Sequence, residues 1–227
     1  MAEILNQWIP NVMVRTDVLW QSFVDTIVMV GWSGAISFVI GIILGIALVI
    51  TRPGNIMENR VCYQVIDKVV NFFRSIPFIV LLCGLVPLSR LIMGTGIGVR
   101  GAIVPLVFGC APFFTRQMEA ALSDVSPGLI EAAQSMGLSN PEIIVRVYLK
   151  ESIAGIARGV TITIISLIGL TAMAGAVGAG GLGNFAIMYG HDRNMPDVTY
   201  TTVVILVVIV TVIQILGNYI AKKNTHE

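Results

Sequence analysis

The sequence predicts an all-α protein that crosses a lipid bilayer five times. Of its 227 residues, 56% are hydrophobic and only 12% are charged, whereas a soluble domain carries about 25% charged and 45–50% apolar residues. The apolar residues also form long runs that approach or exceed the roughly 20 residues that a helix needs to cross a membrane. We therefore expect residues 1–227 to form a single transmembrane domain.

The first predicted span covers residues 26–50, which contain no charged side chain. This length exceeds the roughly 20 residues that one crossing requires. Gly41 and Gly45 are spaced so that a second helix backbone can approach them closely, although glycines that face lipid are an equal alternative.

The second and third predicted spans, 69–89 and 101–122, contain two prolines each. Proline is tolerated within a transmembrane helix where neighbouring helices satisfy the freed carbonyl groups. We therefore expect both spans to be kinked and to pack inside a helix bundle.

The fourth span lies in a run of 32 uncharged residues, Gly159–Gly190, which is too long for one straight crossing. We predict a helix over 159–177 and an irregular, glycine-rich turn after it. The fifth span, 198–221, is uncharged and rich in β-branched residues, and Lys222 and Lys223 follow it.

Five spans place the two ends of the chain on opposite sides of the membrane. Ten of the fourteen Lys and Arg residues lie in the segments 51–74, 116–158 and 222–227. Because positively charged loops tend to stay in the cytoplasm, we expect these segments inside the cell and the N-terminus outside.

The polar segment 123–158 is predicted to contain two short helices. The first begins with Ser126 as its N-cap and Pro127 at its first position, and Gly137 stands where a glycine commonly ends a helix. Its apolar residues recur at helical spacing on one face. They are Leu129, Ile130, Ala133 and Met136.

The second short helix is predicted to begin with Asn140 as its N-cap, followed by Pro141 and Glu142 in the first turn. A short helix outside the membrane with one apolar face needs a groove to bury that face. The residues leave open whether the groove belongs to a partner, or whether the helix lies on the bilayer or against the chain's own spans.

Net charge and residue clusters exclude several functions. A net charge of +1 gives no field that would recruit nucleic acid. The three cysteines form no CxxC pair, and no His, Cys and Asp cluster has the spacing of a metal site. We therefore expect no nucleic-acid partner, no metal ion and no cofactor.

Catalysis has only one weak candidate in this sequence. The segment Gly31–Gly34 reads GWSG, and Ser33 resembles the nucleophile of an intramembrane serine protease. Such a serine needs a histidine base within hydrogen-bond reach, and the two histidines, His191 and His226, lie outside the predicted spans.

Transport of a small solute fits the fourth span better. The fourth and fifth spans carry no charge, which argues against an ion-coupled carrier. Arg74, Arg116 and Glu119 lie near the predicted cytoplasmic ends of their spans, where long side chains can reach the membrane surface. Polar residues of the fourth span either line the solute path or bond to their own helix backbone. These polar candidates are Thr161, Thr163, Ser166 and Thr171, and Met173 is a further candidate for the path.

The glycines after the fourth span match the pattern G-x-G-x-x-G. A dinucleotide site of this kind needs a preceding strand and a following helix in a βαβ unit, whereas these glycines follow a membrane span and are expected to face outward, where cytoplasmic NAD is absent. We expect a close-packed turn near the outer mouth instead. The chain also lacks the GxxxxGK[ST] sequence of an ATP-binding P-loop.

The segment Glu131–Gly137 reads EAAQSMG and resembles the EAAxxxG signature of ATP-binding-cassette (ABC) importer permeases. In that family the pattern continues nine residues later with IxLP, where this chain reads VYLK and places Lys150 at the proline position. Further segments resemble the methionine importer permeases of the family. They are TRPG (51–54), NFFRSIPF (71–78), AIVPL (102–106), APF (111–113) and GAVGAGGLG (175–183).

This resemblance covers residues 26–217 and implies an ABC type I importer permease fold in a bacterial cytoplasmic membrane. It implies a homodimer that forms the pathway, two ABC ATPase subunits on the cytoplasmic side, and an extracytoplasmic binding lipoprotein that delivers L- or D-methionine. Another small amino acid is the alternative substrate.

The resemblance also implies roles for individual residues. Glu131 would make a polar contact with the ATPase, Ala132 and Ala133 would permit close approach, and Gly137 would turn the chain after the coupling helix. Other motif residues are expected to be structural. They are Arg74, Ser75, Pro77, Gly178, Gly180, Gly181 and Gly183.

Overall fold

The computed structural model describes residues 8–224, and that part of the chain is helical, without a β-strand. The ends of the predicted 1–227 domain, His226 among them, lie outside the described residues. The helices are α1 (Pro10–Met13), α2 (Thr16–Thr51), α3 (Arg60–Ser75), α4 (Phe78–Gly84), α5 (Val86–Met93), α6 (Gly98–Ser123), α7 (Pro127–Ser135), α8 (Asn140–Ile143), α9 (Ile153–Ala176), α10 (Gly181–Phe185) and α11 (Pro196–Lys223). Two π-helical segments, π1 (Ile144–Leu149) and π2 (Ala186–His191), follow α8 and α10.

Among the described helices, α2, α6, α9 and α11 are long and apolar enough to cross a membrane. The chain is therefore a multi-pass membrane protein, and these helices coincide with the predicted first, third, fourth and fifth spans. Each is longer than predicted. The largest difference is in α2, which begins at Thr16 instead of residue 26 and has 36 residues. At about 54 Å, it is longer than the roughly 30 Å hydrocarbon core.

The second predicted span, 69–89, is not a single helix. The chain leaves the helical conformation at Ile76 (φ −85°, ψ 124°), directly before Pro77. The physical reason is that proline pushes the residue before it out of the helical region. A second break lies at Leu85, and Pro87 then occupies the first turn of α5, where its missing N–H costs no helical hydrogen bond.

The third predicted span is a continuous helix in spite of its prolines. Helix α6 runs from Gly98 to Ser123 and includes both Pro105 and Pro112. Both prolines are buried. Burial fits the rule that carbonyl groups freed by proline must be satisfied within the protein, because lipid offers no hydrogen bonds.

The described chain forms two compact units, each assembled from three stretches of sequence. The first unit comprises the described part of Met1–Ala35, together with Pro77–Gly109 and Ile164–Ile213. The second unit comprises Ile36–Ile76, Cys110–Thr163 and the described part of Gln214–Glu227.

The first unit has a small core that holds α1 in place. Val12, Phe185 and Val198 are buried there together. Asn11 fixes α1 to the start of α11, because its backbone N–H and its side-chain amide each donate to the carboxylate of Asp197 at 3.0 Å. The short helix is thereby part of the folded unit.

A glycine-rich turn follows α9 in the first unit, as the sequence predicts. Gly178, Gly180 and Gly181 have φ values of +88°, +87° and +78°, a region that residues with a Cβ rarely adopt. The turn is fastened to α2, since the N–H of Leu182 donates to the hydroxyl of Thr26 at 2.8 Å.

The second unit has a larger core, built from α2, α6 and the segment that follows α6. Phe38 of α2 meets Phe114 of α6 edge to face, with 4.6 Å between ring centroids. Further buried residues extend this core towards α7, α8 and π1. They are Val49, Met118, Leu122, Val125, Ala133, Ile143 and Tyr148.

Gly41 and Gly45 of α2 lie at this helix contact, so close packing is the correct alternative at these positions. A Cβ at Gly41 would stand 2.5 Å from the ring of Phe114. A Cβ at Gly45 would overlap the side chain of Met118 and approach the carbonyl oxygen of Thr115 to 3.2 Å. The two glycines therefore allow α2 and α6 to pack closely.

We predict that Gly45→Ala lowers the stability of the protein by about 1–3 kcal/mol, because the new methyl group overpacks the α2–α6 contact. The matched control is Gly31→Ala on the same helix, where a Cβ meets no atom within 4 Å. Thermal unfolding in detergent should show a lower midpoint for Gly45→Ala alone. Equal midpoints for the two variants would contradict the close contact.

Candidate functional site

The first short helix of the polar segment forms where the sequence predicts it. Helix α7 has Ser126 as its N-cap and Pro127 at its first position, although the Ser126 hydroxyl makes no capping hydrogen bond. Gly137 ends the helix with φ +80°. The N–H of Leu138 donates to the carbonyl of Ala133 at 3.1 Å and the N–H of Gly137 to that of Gln134 at 2.9 Å, which is a Schellman motif.

The second predicted helix differs in its cap and in its extent. Its N-cap is Ser139 and not Asn140. The carboxylate of Glu142 accepts hydrogen bonds from the Ser139 N–H at 3.0 Å and hydroxyl at 2.7 Å. Ser139 and Glu142 form a capping box, which makes Ser139 the N-cap instead of Asn140. These hydrogen bonds hold the pKa of the Glu142 carboxyl below its ordinary value, so the cap is ionised at neutral pH.

The second helix is also not a separate short helix. Helix α8 continues through π1 to Lys150 and Glu151, and α9 begins at Ile153. Lys150, which stands at the proline position of the IxLP pattern, donates its backbone N–H to the carbonyl of Val147. Proline has no N–H to donate, so a proline at this position would lose the hydrogen bond.

The predicted apolar face of α7 is divided between the protein interior and the surface. Ile130 and Ala133 pack on the core of the second unit. Leu129 and Met136 are exposed, with 46% and 73% of their surfaces accessible. The helix therefore lies against the chain's own spans with one side and leaves apolar groups on the other side free.

The four predicted coupling residues do not share one face. Glu131, Ala132 and Gly137 are on the surface, whereas Ala133 is only 2% exposed. The small side chain of Ala133 lets α7 approach the core of its own unit. The EAA sequence thus combines an anchoring residue with exposed residues on the same nine-residue helix.

A cavity of about 360 Å³ lies beside α7 in the second unit. Glu131 and Gln134 of α7 line one part of it, and Arg52 and Asn55, which follow α2, line another. Tyr148 also lines the cavity.

Tyr148 makes a hydrogen bond at this cavity that the sequence does not predict. Its hydroxyl donates to the side-chain oxygen of Asn55 at 2.8 Å. Burial raises the pKa of the Tyr148 phenol, so the hydroxyl keeps its proton at physiological pH. The only sequence signal is its place within the VYLK segment, because Asn55 is 93 residues away in the chain.

A second missed feature is an ionic cluster that joins α3 to α6. Arg116 makes an ion pair with Asp67 and another with Glu119 at 2.5 Å, and it donates to the Asn71 side chain at 2.9 Å. The Arg116 side chain is only 17% exposed. The Asp67 carboxylate and the Asn71 amide oxygen thus hold the guanidinium group against α3, and the place of Arg116 and Glu119 relative to the membrane surface stays a prediction.

The second-span motif residues lie at the break between α3 and α4. Arg74, Ser75 and Pro77 are exposed, and the Ser75 hydroxyl donates to the carbonyl of Asn71 at 2.8 Å. Pro77 marks the break itself. In the glycine motif (175–183), Gly183 allows a close backbone contact, because a Cβ there would overlap the backbone of α9.

The threonines proposed for the solute path are buried within this chain. The hydroxyls of Thr161, Thr163 and Thr171 donate at 2.7 Å to carbonyl groups of their own helix. This arrangement matches the alternative in which the polar side chains bond to their own helix backbone instead of lining the path. Ser166 is partly exposed and Met173 is 42% exposed, so these two remain open to a solute or a partner.

Ser33 has no access to a substrate. It is fully buried, and its hydroxyl donates to the carbonyl of Met29 in the preceding turn of α2. His191 is exposed at the end of π2. Within residues 8–224, no group of three or more His, Cys, Asp or Glu side chains is arranged to hold a metal ion.

Comparison with known proteins places this fold among transport components. Residues 37–226 match the family described as "binding-protein-dependent transport system inner membrane component". The chain is 44% identical over 205 residues to the probable D-methionine transport system permease protein MetI of Pasteurella multocida, which covers 90% of this chain and 94% of that protein. It is 42% identical over 219 residues to the methionine import system permease protein MetP of Bacillus subtilis, with 96% and 98% covered.

Solved structures give the same result. An inward-facing conformation of the MetNI methionine ABC transporter superposes with a TM-score of 0.91 at 43% identity, over 93% of this chain and 98% of that chain. An amino acid ABC transporter solved with histidines gives a TM-score of 0.78 at 16% identity, over 95% and 98%. At that identity the second likeness shows the fold alone.

We predict that Arg116→Gln destabilises the protein by about 2 kcal/mol, because two partly buried carboxylates lose their counter-charge. Arg60→Gln is the matched control. Its ion pair with Glu58 is exposed, with 74% of the arginine side chain accessible, and such pairs contribute at most about 1 kcal/mol. Unfolding followed by tryptophan fluorescence in detergent measures both, and a control that unfolds as early as Arg116→Gln would refute the cluster's role.

We also predict that Gly137→Ala loosens α7, because a Cβ in the left-handed conformation costs about 1–2 kcal/mol. Gly128→Ala in the same helix should be nearly neutral, since the nearest atom to its new Cβ is 3.8 Å away. Hydrogen exchange of the α7 amides, measured by mass spectrometry, should accelerate only in Gly137→Ala. Unchanged exchange would show that the Schellman motif does not hold the helix.

Proposed function

Because the chain belongs to the family of binding-protein-dependent transport system inner membrane components, we propose that it is the permease subunit of an ATP-driven importer of methionine. The observation that carries the proposal is the likeness to methionine permeases along nearly the whole chain. The subunit conducts the substrate and is not itself an enzyme.

The free energy for uptake comes from a separate chain. This sequence has no P-loop, so ATP hydrolysis belongs to ABC ATPase subunits that bind on the cytoplasmic side. Helix α7 is the coupling helix of the proposal. Its inner side is fixed by Ile130 and Ala133, and its outer side presents Leu129, Ala132 and Met136 to a partner.

Within the coupling helix, Glu131 provides the polar contact with the ATPase and Ala132 allows its surface to approach closely. Ala133 anchors the helix to the permease, and Gly137 turns the chain away from the contact. A helix held in this way can transmit a rigid-body movement of the ATPase to the spans.

The complete importer of this proposal contains two copies of the permease, two ATPase subunits and an extracytoplasmic binding lipoprotein. It lies in the cytoplasmic membrane of a bacterium. Ser166 and Met173 are the leading candidates for contacts with the substrate, because both are accessible in the single chain. Thr161, Thr163 and Thr171 shape the helix around the path.

The proposed topology has five crossings. Four are the long apolar helices, and the fifth is the broken segment α3–α5 (Arg60–Met93). Broken helices are tolerated at membrane depth where other protein segments surround them. Five crossings put the two ends of the chain on opposite sides of the membrane. With the N-terminus outside, ten of the fourteen Lys and Arg residues lie in the cytoplasm, in agreement with the positive-inside rule.

A permease for another small amino acid is the second candidate. Neither Ser166 nor Met173 is specific for a thioether. The fold is also shared with an amino acid transporter of only 16% identity. The binding protein would then select the substrate. This candidate predicts that methionine competes poorly with the true substrate for uptake.

We expect the purified permease, combined with its ATPase and binding protein in proteoliposomes, to accumulate radiolabelled methionine only when ATP is enclosed with the ATPase. Unlabelled L-methionine, D-methionine and other small amino acids, added as competitors, define the substrate. Uptake without ATP would contradict the proposal in favour of a carrier that acts alone.

The coupling helix is tested by Glu131→Arg, which we expect to lower methionine uptake at least tenfold by placing a cation at the ATPase contact. Asp124→Arg makes the same charge change at an exposed position before α7 and should retain most of the uptake. Copurification of the ATPase with each permease variant reports the contact itself. Normal uptake and copurification of Glu131→Arg would exclude this role for α7.

A further inference from the structure

The hydrogen bond between Tyr148 and Asn55 connects the region of the coupling helix to the end of the first span. Tyr148 lies in π1 and is 2% exposed, and it shares the core of the second unit with Ala133 of α7. Its hydroxyl reaches the side-chain oxygen of Asn55 at 2.8 Å. The buried ring of Tyr148 thus packs in the core that contains Ala133 of α7, and its hydroxyl bonds to Asn55, which follows α2.

Asn55 belongs to a loop that is rigidly joined to the first span. In this α2–α3 loop (Arg52–Asn59), the N–H of Met57 donates to the carbonyl of Ile50 at 3.0 Å and that of Asn59 to Thr51 at 3.0 Å. The Asn55 oxygen also accepts from the N–H of Ile56 at 2.7 Å. The loop therefore moves with the last turn of α2.

The same loop also fixes the start of α3. The side chain of Asn59 is the N-cap of α3 and accepts from the N–H of Cys62 at 3.0 Å. The N–H of Gly54 donates to the carboxylate of Glu58 at 3.0 Å. A displacement of Asn55 is consequently passed to both helices that the loop joins.

The α2–α3 loop and α7 also meet at the core of the second unit, where Ile56 of the loop packs on the cluster that contains Ala133. The cavity of about 360 Å³ has Arg52 and Asn55 of the loop among its lining residues, together with Glu131 and Gln134 of α7. Tyr148 lines the same cavity, and its hydrogen bond adds a directional polar connection to the loop beside the apolar contact.

The backbone around Tyr148 is not regular α-helix. It lies in π1, a six-residue π-helical segment, and π-helical turns are rare and occur frequently at functional sites. A change from π- to α-helical hydrogen bonding rotates the residues of the segment about the helix axis. That rotation would withdraw the Tyr148 hydroxyl from Asn55.

We propose that Tyr148 is a positioning residue for transport, whose hydrogen bond to Asn55 transmits movement of α7 through the α2–α3 loop to the first two membrane segments. This inference rests on the proposed function. It assigns coupling to a residue outside the EAA helix, and it requires that loss of the hydrogen bond separates ATP hydrolysis from methionine uptake.

The test compares ATP hydrolysis and methionine uptake in the same proteoliposomes, with ATPase and binding protein present. Tyr148→Phe keeps the buried ring and removes only the hydroxyl, so we expect hydrolysis to continue while ATP consumed per methionine rises about two- to tenfold, the range for one lost hydrogen bond. Tyr219→Phe, whose tyrosine is 68% exposed on α11, is the matched control and should leave the ratio unchanged.

Two variants of the acceptor identify the interaction itself. Asn55→Asp keeps a side-chain oxygen in place and should retain the wild-type ratio, whereas Asn55→Ala should raise the ratio as Tyr148→Phe does. The double variant Tyr148→Phe, Asn55→Ala should be no worse than either single variant, because both remove the same bond. Thermal unfolding in detergent establishes that each variant is folded.

A wild-type ratio in Tyr148→Phe, equal defects in Asn55→Asp and Asn55→Ala, or multiplied defects in the double variant would each overturn the inference. If Tyr148→Phe does not fold, the comparison of Asn55→Asp with Asn55→Ala decides alone. Absence of ATP-dependent methionine uptake by the wild-type importer would overturn the proposed function instead, so the two failures are distinguishable.

Discussion

The structure depends on one constraint, which is that a bilayer offers no water to the polar groups of the backbone. The long apolar stretches are helical because a helix satisfies its own N–H and carbonyl groups. Polar side chains follow the same rule, since the hydroxyls of Thr161 and Thr163 bond to the backbone of α9. Where the chain must turn after α9, the hydroxyl of Thr26 accepts the N–H of Leu182. The turn is therefore closed by a side chain from α2.

A second constraint, the instability of a short helix in water, explains why α7 packs against its own chain. A nine-residue helix is too short to be stable alone in water, and α7 gains its stability from Ile130 and Ala133 in the core and from the Schellman motif at Gly137. Burial of one side leaves the other side free for a partner. The ATPase proposed to bind there would meet a helix that is already formed, which reduces the entropy lost on binding.

Much of the site was predictable because it depends on local sequence. Pro127 and Gly137 define α7 through rules that involve only neighbouring residues, and both ends are confirmed. The cap of α8 was misjudged because Ser139 and Asn140 are both good N-caps, and the Glu142 carboxylate selects the serine. The ionic cluster of Arg116 and the Tyr148–Asn55 hydrogen bond were not predictable, since their partners are 49 and 93 residues apart in sequence.

The sequence by itself determined that this chain is a helical membrane protein of a recognisable transport family. Hydrophobic run length and the EAA motif are properties of contiguous residues, and folding does not change them. Only the tertiary structure decided which side of α7 is buried, that Arg116 is paired inside the protein, and that the predicted second span is broken into shorter helices. These features depend on which distant segments meet, because burial and ion pairing are set by packing and not by the order of residues along the chain.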